Sequence, residues 1–296
     1  MPERTPIADM LQRDSAPERL PAVRDRDLLP AIEPERTIDD WGRSERVEGT
    51  FDRTAVEFFY RYWFRVEVEG VENVPSDGGA LLVSNHSGAL PPDAAMIGRA
   101  IREEHPAPRP LNITVEHFFK GYPFFSMLAP KIGCVAAHPA NVHRLLSDEQ
   151  KLVLVFPEGR KGTEKVYSER YRLRRFGRGG FVAAAMRAEA KLVPVCVVGA
   201  EEAAPIFAQV GVMKRLTGLL YFPLTPTFPW LGPLGMLGYL PAKFRVRFLE
   251  PIDTARLGGD PDSDRALVQT VAQEVRARIQ ENLHEMVAKR RSVWFG

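Results

Sequence analysis

"GALLVSNHSGALPPDAAMIGRAIRE", Gly79–Glu103, decides the fold. Ala80–Ser84 is a short apolar run, the pattern of a strand buried on both faces. "DAAMIGRAIRE", Asp93–Glu103, reads as a helix. Pro91 and Pro92 cannot sit inside that helix, but either can open it. A histidine, His86, therefore stands at the mouth of a buried strand, and Asp93 falls in the first turn of the following helix.

The same alternation runs outward in both directions. "RVEVEGV", "LNITVE", "GCVAA", "KLVLVF", "KLVPVCVVGA" and "KFRVRFLEPI" read as strands. "YPFFSMLAPKI", "NVHRLLSDEQ" and "GGFVAAAMRAEA" read as helices between them. Residues 262–290 form a long C-terminal helix with Leu267, Val271, Val275, Ile279 and Leu283 along one face. This order predicts a single α/β domain with a largely parallel central sheet flanked by helices. In such sheets the chemistry sits at the carboxyl ends of the strands. "NHSGALPPD" (Asn85–Asp93) and "FPEG" (Phe156–Gly159) both lie at such ends.

Residues 1–45 are rich in proline, arginine and acids, and read as a flexible or loosely docked arm. They carry neither a signal-peptide nor a transmembrane pattern. The domain proper spans 46–296. Its first helix is expected near Asp52, a candidate N-cap. Val56, Phe59, Tyr60, Trp63 and Phe64 form a bulky stripe there, facing either the core or, with Arg61 and Arg65, a lipid interface. Segment 216–242 holds no charged residue. Its length permits a membrane span, but its prolines and glycines argue for an apolar loop, partly core and partly greasy surface.

Composition bounds the function. The 296 residues are 45% hydrophobic and 26% charged, with a net charge of +2, so nothing demands a nucleic-acid partner. Cys134 and Cys196 lie far apart in apolar runs and read as buried small hydrophobes, not a disulfide framework. His138 and His143 lack partners at a zinc-like spacing, so no metal site is expected. His105, His117 and His284 read as structural or solvated.

Histidine titrates near neutral pH and can take a proton from a hydroxyl, while a carboxylate on its far nitrogen would hold the tautomer. Ser87, Gly88 and Ala89 are small enough for the loop to curl and bring Asp93 to His86. The pair can equally be an inert polar loop. In "VLVFPEGRKGTEK", Glu158 can hold substrate hydroxyls, and Arg160, Lys161 and Lys165 suit a phosphate, or all are solvated turn charges. "ERYRLRRFGRGGF" adds Arg170, Arg172, Arg174, Arg175 and Arg178 before a helix start, a plausible anion site or a solvated basic loop.

Asn-His, a following Asp, Phe-Pro-Glu-Gly some seventy residues on, and a Val-Pro strand together resemble the glycerolipid acyltransferases, over roughly residues 55–250. "GVENVPSDGGALLVSNHSG" resembles the family's lead-in. The resemblance implies His86 as the base that deprotonates an acceptor hydroxyl and Asp93 as its orienting partner. It implies acceptor binding by Glu158 and Gly159, and it places Pro194 near the acyl donor; Asn85, Arg160, Lys161, Arg175 and Arg178 join the substrate-binding candidates on the reading of the residues themselves. It implies acyl-CoA or acyl carrier protein as co-substrate, no metal or other cofactor, a lysophospholipid-type acceptor, and peripheral attachment to the cytoplasmic face of a membrane. Three features depart from the family pattern. Six residues rather than four separate His86 and Asp93, the arginine expected after Gly133 is missing with His138 nearby, and Lys161 stands where an arginine is usual. These leave the acceptor open between lysophosphatidic acid and another lysolipid or alcohol. An acyl ester or thioester hydrolase would need a nucleophile, and no G-x-S-x-G elbow is present. A non-catalytic lipid-binding module is the remaining alternative.

Overall fold

The computed structural model describes residues 38–88, 92–116, 123–217 and 222–296. The first helix, α1 (Glu45–Phe51), runs on in wider turns through Asp52–Val56 and Phe58–Trp63. There follow β1 (Glu67–Glu69), β2 (Ala80–Ser84), α2 (Asp93–Glu104), β3 (Leu111–Val115), α3 (Pro123–Lys131), β4 (Cys134–Ala136), α4 (Pro139–His143) and β5 (Leu152–Val155). After them come α5 (Arg160–Thr163), α6 (Gly180–Arg187), β6 (Lys191–Val198), α7 (Ala200–Ala203), β7 (Ala208–Gln209), α8 (Gly211–Thr217) and β8 (Pro223–Leu224). The chain closes with β9 (Arg245–Phe248) and α9 (Arg265–Lys289).

Seven strands form one sheet in the order β1-β9-β6-β2-β5-β3-β4. All neighbours are parallel except β6 and β9. The expected α/β domain with a largely parallel sheet is what forms. The sheet's side chains split by period two. Leu81, Val83, Val153, Leu192 and Cys196 face one layer of helices, packing with Val271, Val275, Ile279 and Leu283 of α9. Ala80, Leu82, Leu152, Leu154, Val193 and Val195 face the other, with Met96, Ile97 and Ile101 of α2 and with Val56, Tyr60 and Phe64. Each such side chain contributes about 1.5–3 kcal/mol by leaving water. Cys196 packs in the apolar core and Cys134 is half-buried with Arg43 and Glu48 nearby; burial pushes the Cys134 thiol up to about 12 and the Cys196 thiol higher still.

Two boundaries differ from the sequence reading. The first helix begins at Glu45, capped by Ser44, whose Oγ accepts the Val47 N–H. Asp52 is no cap; it is buried within the helix and paired with Arg99 and, at 2.9 Å, with Arg102. The domain also takes in residues before 46. Trp41 Nε1 donates to Glu149 at 3.0 Å, and the Ser44 N–H donates to the Lys131 carbonyl at 3.1 Å. The bulky stripe is core-facing, with Val56, Tyr60 and Phe64 buried and Trp63 Nε1 bonded to the Tyr239 carbonyl.

Where segment 216–242 is described, it is an irregular lobe. β8 pairs antiparallel with β7, and a tight turn covers Gly232–Leu237. Among the described residues no helix is long and apolar enough to cross a membrane.

Candidate active site

β2 lies between β5 and β6, and all three run parallel. Their carboxyl ends therefore emerge together, with Val83 level with both Val155 and Pro194. The next residues of each strand are Asn85-His86, Phe156-Pro157-Glu158 and Gly199-Ala200-Glu201. Chain order departs from spatial order here, because β5 returns to one flank of β2 and β6 to the other. That switch opens a crevice at the strand ends.

His86 and Asp93 meet. Nδ1 of His86 lies 2.9 Å from Asp93 Oδ2, with the carboxylate fully buried and the imidazole 18% exposed. A carboxylate only accepts, so Nδ1 carries a proton, and in the neutral imidazole Nε2 keeps its lone pair. Among the described residues Nε2 has no hydrogen-bond partner. Asp93 Oδ1 accepts the Ala94 N–H at 2.7 Å at the start of α2, which fixes the carboxylate plane. The imidazole also stacks on Phe156, with ring centroids 3.9 Å apart and planes inclined by 19°. The ring is thus held on one face and at one nitrogen. The longer His–Asp spacing does not keep the pair apart, although Ala89–Pro91 in the intervening loop lie outside the described residues.

Asn85 and Glu158 are placed differently from the sequence reading. Asn85 is buried and exchanges two hydrogen bonds with Val197, donating to its carbonyl at 2.9 Å and accepting its N–H at 2.8 Å. It extends the β2–β6 ladder. The Glu158 side chain is wholly enclosed. Its Oε1 accepts the His86 N–H at 3.2 Å, and its Oε2 accepts the Arg174 N–H at 2.7 Å. One carboxylate therefore ties the histidine loop to the arginine run, instead of reaching a substrate hydroxyl. Lys165, read as a phosphate cation, is equally enclosed, 3.4 Å from Glu158 Oε2 and 3.0 Å from Glu201 Oε1.

Sequence reasoning missed the rest of this network. Glu201 accepts the Tyr171 N–H, Tyr171 Oη donates to Glu202, and Arg290 pairs with Glu202 at 2.7 Å. Burial pushes the Glu201 carboxyl up to about 7, although Lys165 and the Tyr171 N–H pull it back. The available signal was two acids, Glu201 and Glu202, directly after an apolar strand.

Gly159 has φ +53°, and a Cβ there would stand 2.9 Å from Glu116 Oε1. Its part is conformational, turning the chain into α5. Gly162 is required for contact, since a Cβ there would lie 2.8 Å from the His86 carbonyl oxygen. Arg160 and Lys161 lie in this turn. Arg160 pairs with Glu164 at 3.2 Å, while Lys161, Arg175 and Arg178 are exposed and make no ion pair among the described residues. Arg175 follows the anchored Arg174 N–H, so the run begins beside the Glu158 corner. His138 caps α4 through the Ala140 N–H at 3.2 Å, and His105 is buried between two backbone carbonyls. His117 lies outside the described residues.

An imidazole partnered at Nδ1 and, among the described residues, open at Nε2, at the mouth of three parallel strands, can move a proton. A family model described as Acyltransferase matches residues 65–198. A protein of Mycobacterium tuberculosis is 43% identical over 260 residues, covering 88% of this chain and 72% of its own. A chicken protein described as a DGAT1/2-independent enzyme synthesizing storage lipids is 25% identical over 79% of this chain and 62% of its own. The crystal structure of the 1-acyl-sn-glycerophosphate acyltransferase PlsC from Thermotoga maritima shares the fold, with a TM-score of 0.51 and 16% identity. The match covers 84% of this chain and 81% of that one.

Proposed function

The chain belongs to the glycerolipid acyltransferase family, and we propose that it moves a fatty acyl group from an acyl thioester to the hydroxyl of a lysophospholipid-type acceptor, such as a 1-acylglycerol 3-phosphate, at the cytoplasmic face of a membrane. The observation that carries this reading is the 2.9 Å His86–Asp93 contact with Nε2 left open. The acceptor hydroxyl gives its proton to Nε2 as its oxygen attacks the thioester carbonyl. The tetrahedral intermediate then expels the thiolate, which takes the proton back from the imidazolium. Asp93 stabilises the imidazolium while it exists. Arg160, Lys161, Arg175 and Arg178 hold phosphate oxygens of the acceptor or of an acyl-CoA or acyl carrier protein donor. Glu158 acts only through the two backbone amides it anchors. The scheme calls on no cofactor beyond the thioester and on no nucleic acid.

The test is a panel of lysolipid acceptors with acyl-CoA and acyl carrier protein donors, read by product mass. Transfer to a lysolipid, falling by at least about 10²-fold in a folded His86→Ala variant, is the expected result. Acyl release to water without transfer would make the protein a hydrolase. Turnover unchanged in His86→Ala would remove the imidazole from the mechanism.

A further inference from the structure

The segment Tyr171–Arg174 belongs to no helix or strand, yet most of its backbone groups are bonded, and chiefly by side chains from elsewhere in the fold. Glu201 on α7 accepts the Tyr171 N–H. Gln280 on α9 donates from Nε2 to the Tyr171 carbonyl at 2.7 Å and accepts the Leu173 N–H on Oε1 at 2.8 Å. Arg276, one turn earlier on α9, donates to the Leu173 carbonyl at 2.8 Å from Nη2 and to the Arg174 carbonyl at 3.0 Å from Nε. Tyr171 is held at φ +60°, a left-handed conformation that a residue with a side chain keeps only where its surroundings impose it. A loop that merely joins two elements would leave these groups to water. This one is fixed in a single shape by two helices distant in the chain.

One peptide link shows what that shape serves. The Leu173 carbonyl and the Arg174 N–H belong to the same planar unit. Arg276 holds its oxygen, and its N–H donates to Glu158 Oε2 at 2.7 Å. The other oxygen of that carboxylate accepts the His86 N–H at 3.2 Å. Three hydrogen bonds in series therefore lead from α9 to the backbone of the histidine, and each polarises the next. The Glu158 side chain is wholly enclosed, so the groups that grip it set its orientation. Arg276 makes no ion pair among the described residues; its guanidinium serves two carbonyls of the loop. Such a fork stiffens backbone, because its donors are fixed relative to one another. The stiffness matters for a general base, since a misplacement of about 1 Å can cost about 10²-fold in rate.

We propose that Arg276 and Gln280 are positioning residues for His86: they hold the Leu173–Arg174 peptide so that Glu158 keeps the histidine backbone in place. Neither touches the reacting atoms. The test compares the full chain with Arg276→Met, Gln280→Leu, Arg276→Lys and, as control, Arg278→Met, whose guanidinium pairs with Glu274 on the same helix. Amide hydrogen exchange is followed residue by residue by NMR without substrate, and kcat and KM are measured with acyl-CoA and a lysolipid. The kinetic half rests on the acyl-transfer reading; the exchange half does not. In Arg276→Met and Gln280→Leu the His86 and Arg174 amides are expected to exchange at least about tenfold faster, with Leu81 and Val83 in β2 unchanged. kcat is expected to fall about tenfold in both, with acceptor KM within about twofold of wild type. Arg276→Lys, which can still reach one carbonyl, is expected to recover part of kcat, and Arg278→Met to match wild type throughout. Wild-type exchange at His86 in both Arg276→Met and Gln280→Leu would overturn the proposal. So would exchange that quickens equally across β2, which would make the two residues general supports of the fold, or a wild-type kcat despite the faster His86 exchange. If the wild type transfers to no acceptor while the exchange results hold, the acyl-transfer reading falls and the link from α9 to His86 stands.

Discussion

The Glu158 corner and the lobe that carries Trp230 and Leu234 are built on opposite terms. In the corner, charged groups are enclosed and paired by charge, Glu158 with two backbone amides and Lys165, Lys165 with Glu201, although Lys165 Nζ and Glu201 Oε1 make no hydrogen bond among the described residues. In the lobe, apolar groups are left in water on a hydrogen-bonded frame. An unpaired buried charge costs several kcal/mol, so the corner tolerates little change. An exposed leucine makes few contacts within the fold, so the lobe is free to change as far as stability goes. The difference separates residues that hold the site in shape from residues that the fold itself does not use.

The largest break in that comparison comes from the corner. Lys165→Met should cost about 3–5 kcal/mol in chemical denaturation, because it leaves two enclosed carboxylates facing each other. A loss under about 1 kcal/mol would mean that water already reaches Lys165. A smaller effect follows from Glu201. Burial lifts its carboxyl from 4.5 to about 7, so the folded protein holds that proton more tightly than the unfolded chain does. The stability this gives is complete below about pH 4.5 and fades as pH rises to about 7. Glu201→Gln removes the titration. Its stability relative to wild type should therefore improve steadily from about pH 4.5 to 7, and a flat difference across that window would contradict the raised value. The smallest effect belongs to the lobe: Leu234→Ser should leave folding stability within about 0.5 kcal/mol of wild type. A loss of several kcal/mol would show that this leucine is packed, and the contrast between the regions would fail.

Much of the molecule was legible before any coordinates. The sheet strands and the longer helices that frame the site were readable from apolar runs and turn residues, because those patterns are local, while the short helices Arg160–Thr163 and Ala200–Ala203 at the strand ends were not. The His86–Asp93 pair was readable too, since both lie within one strand–loop–helix unit and only a curl of small residues was needed. Polar residues at the strand ends were not readable in the same way. Asn85 bonds a strand 112 residues away, and Glu158 receives an amide from 72 residues upstream. Nothing in an asparagine or glutamate says whether its partner is a ligand or another loop. The antiparallel pairing of β9 with β6 was hidden for the same reason.

Local sequence settled the α/β class, most of the element order and the nearness of His86 to Asp93, through short-range rules of periodicity and turn geometry. Tertiary structure alone decided which charges face inward as scaffold and which remain free for a ligand. That choice depends on strand order, which brings three distant loops to one end of the sheet, and on the cost of burying a charge without a partner.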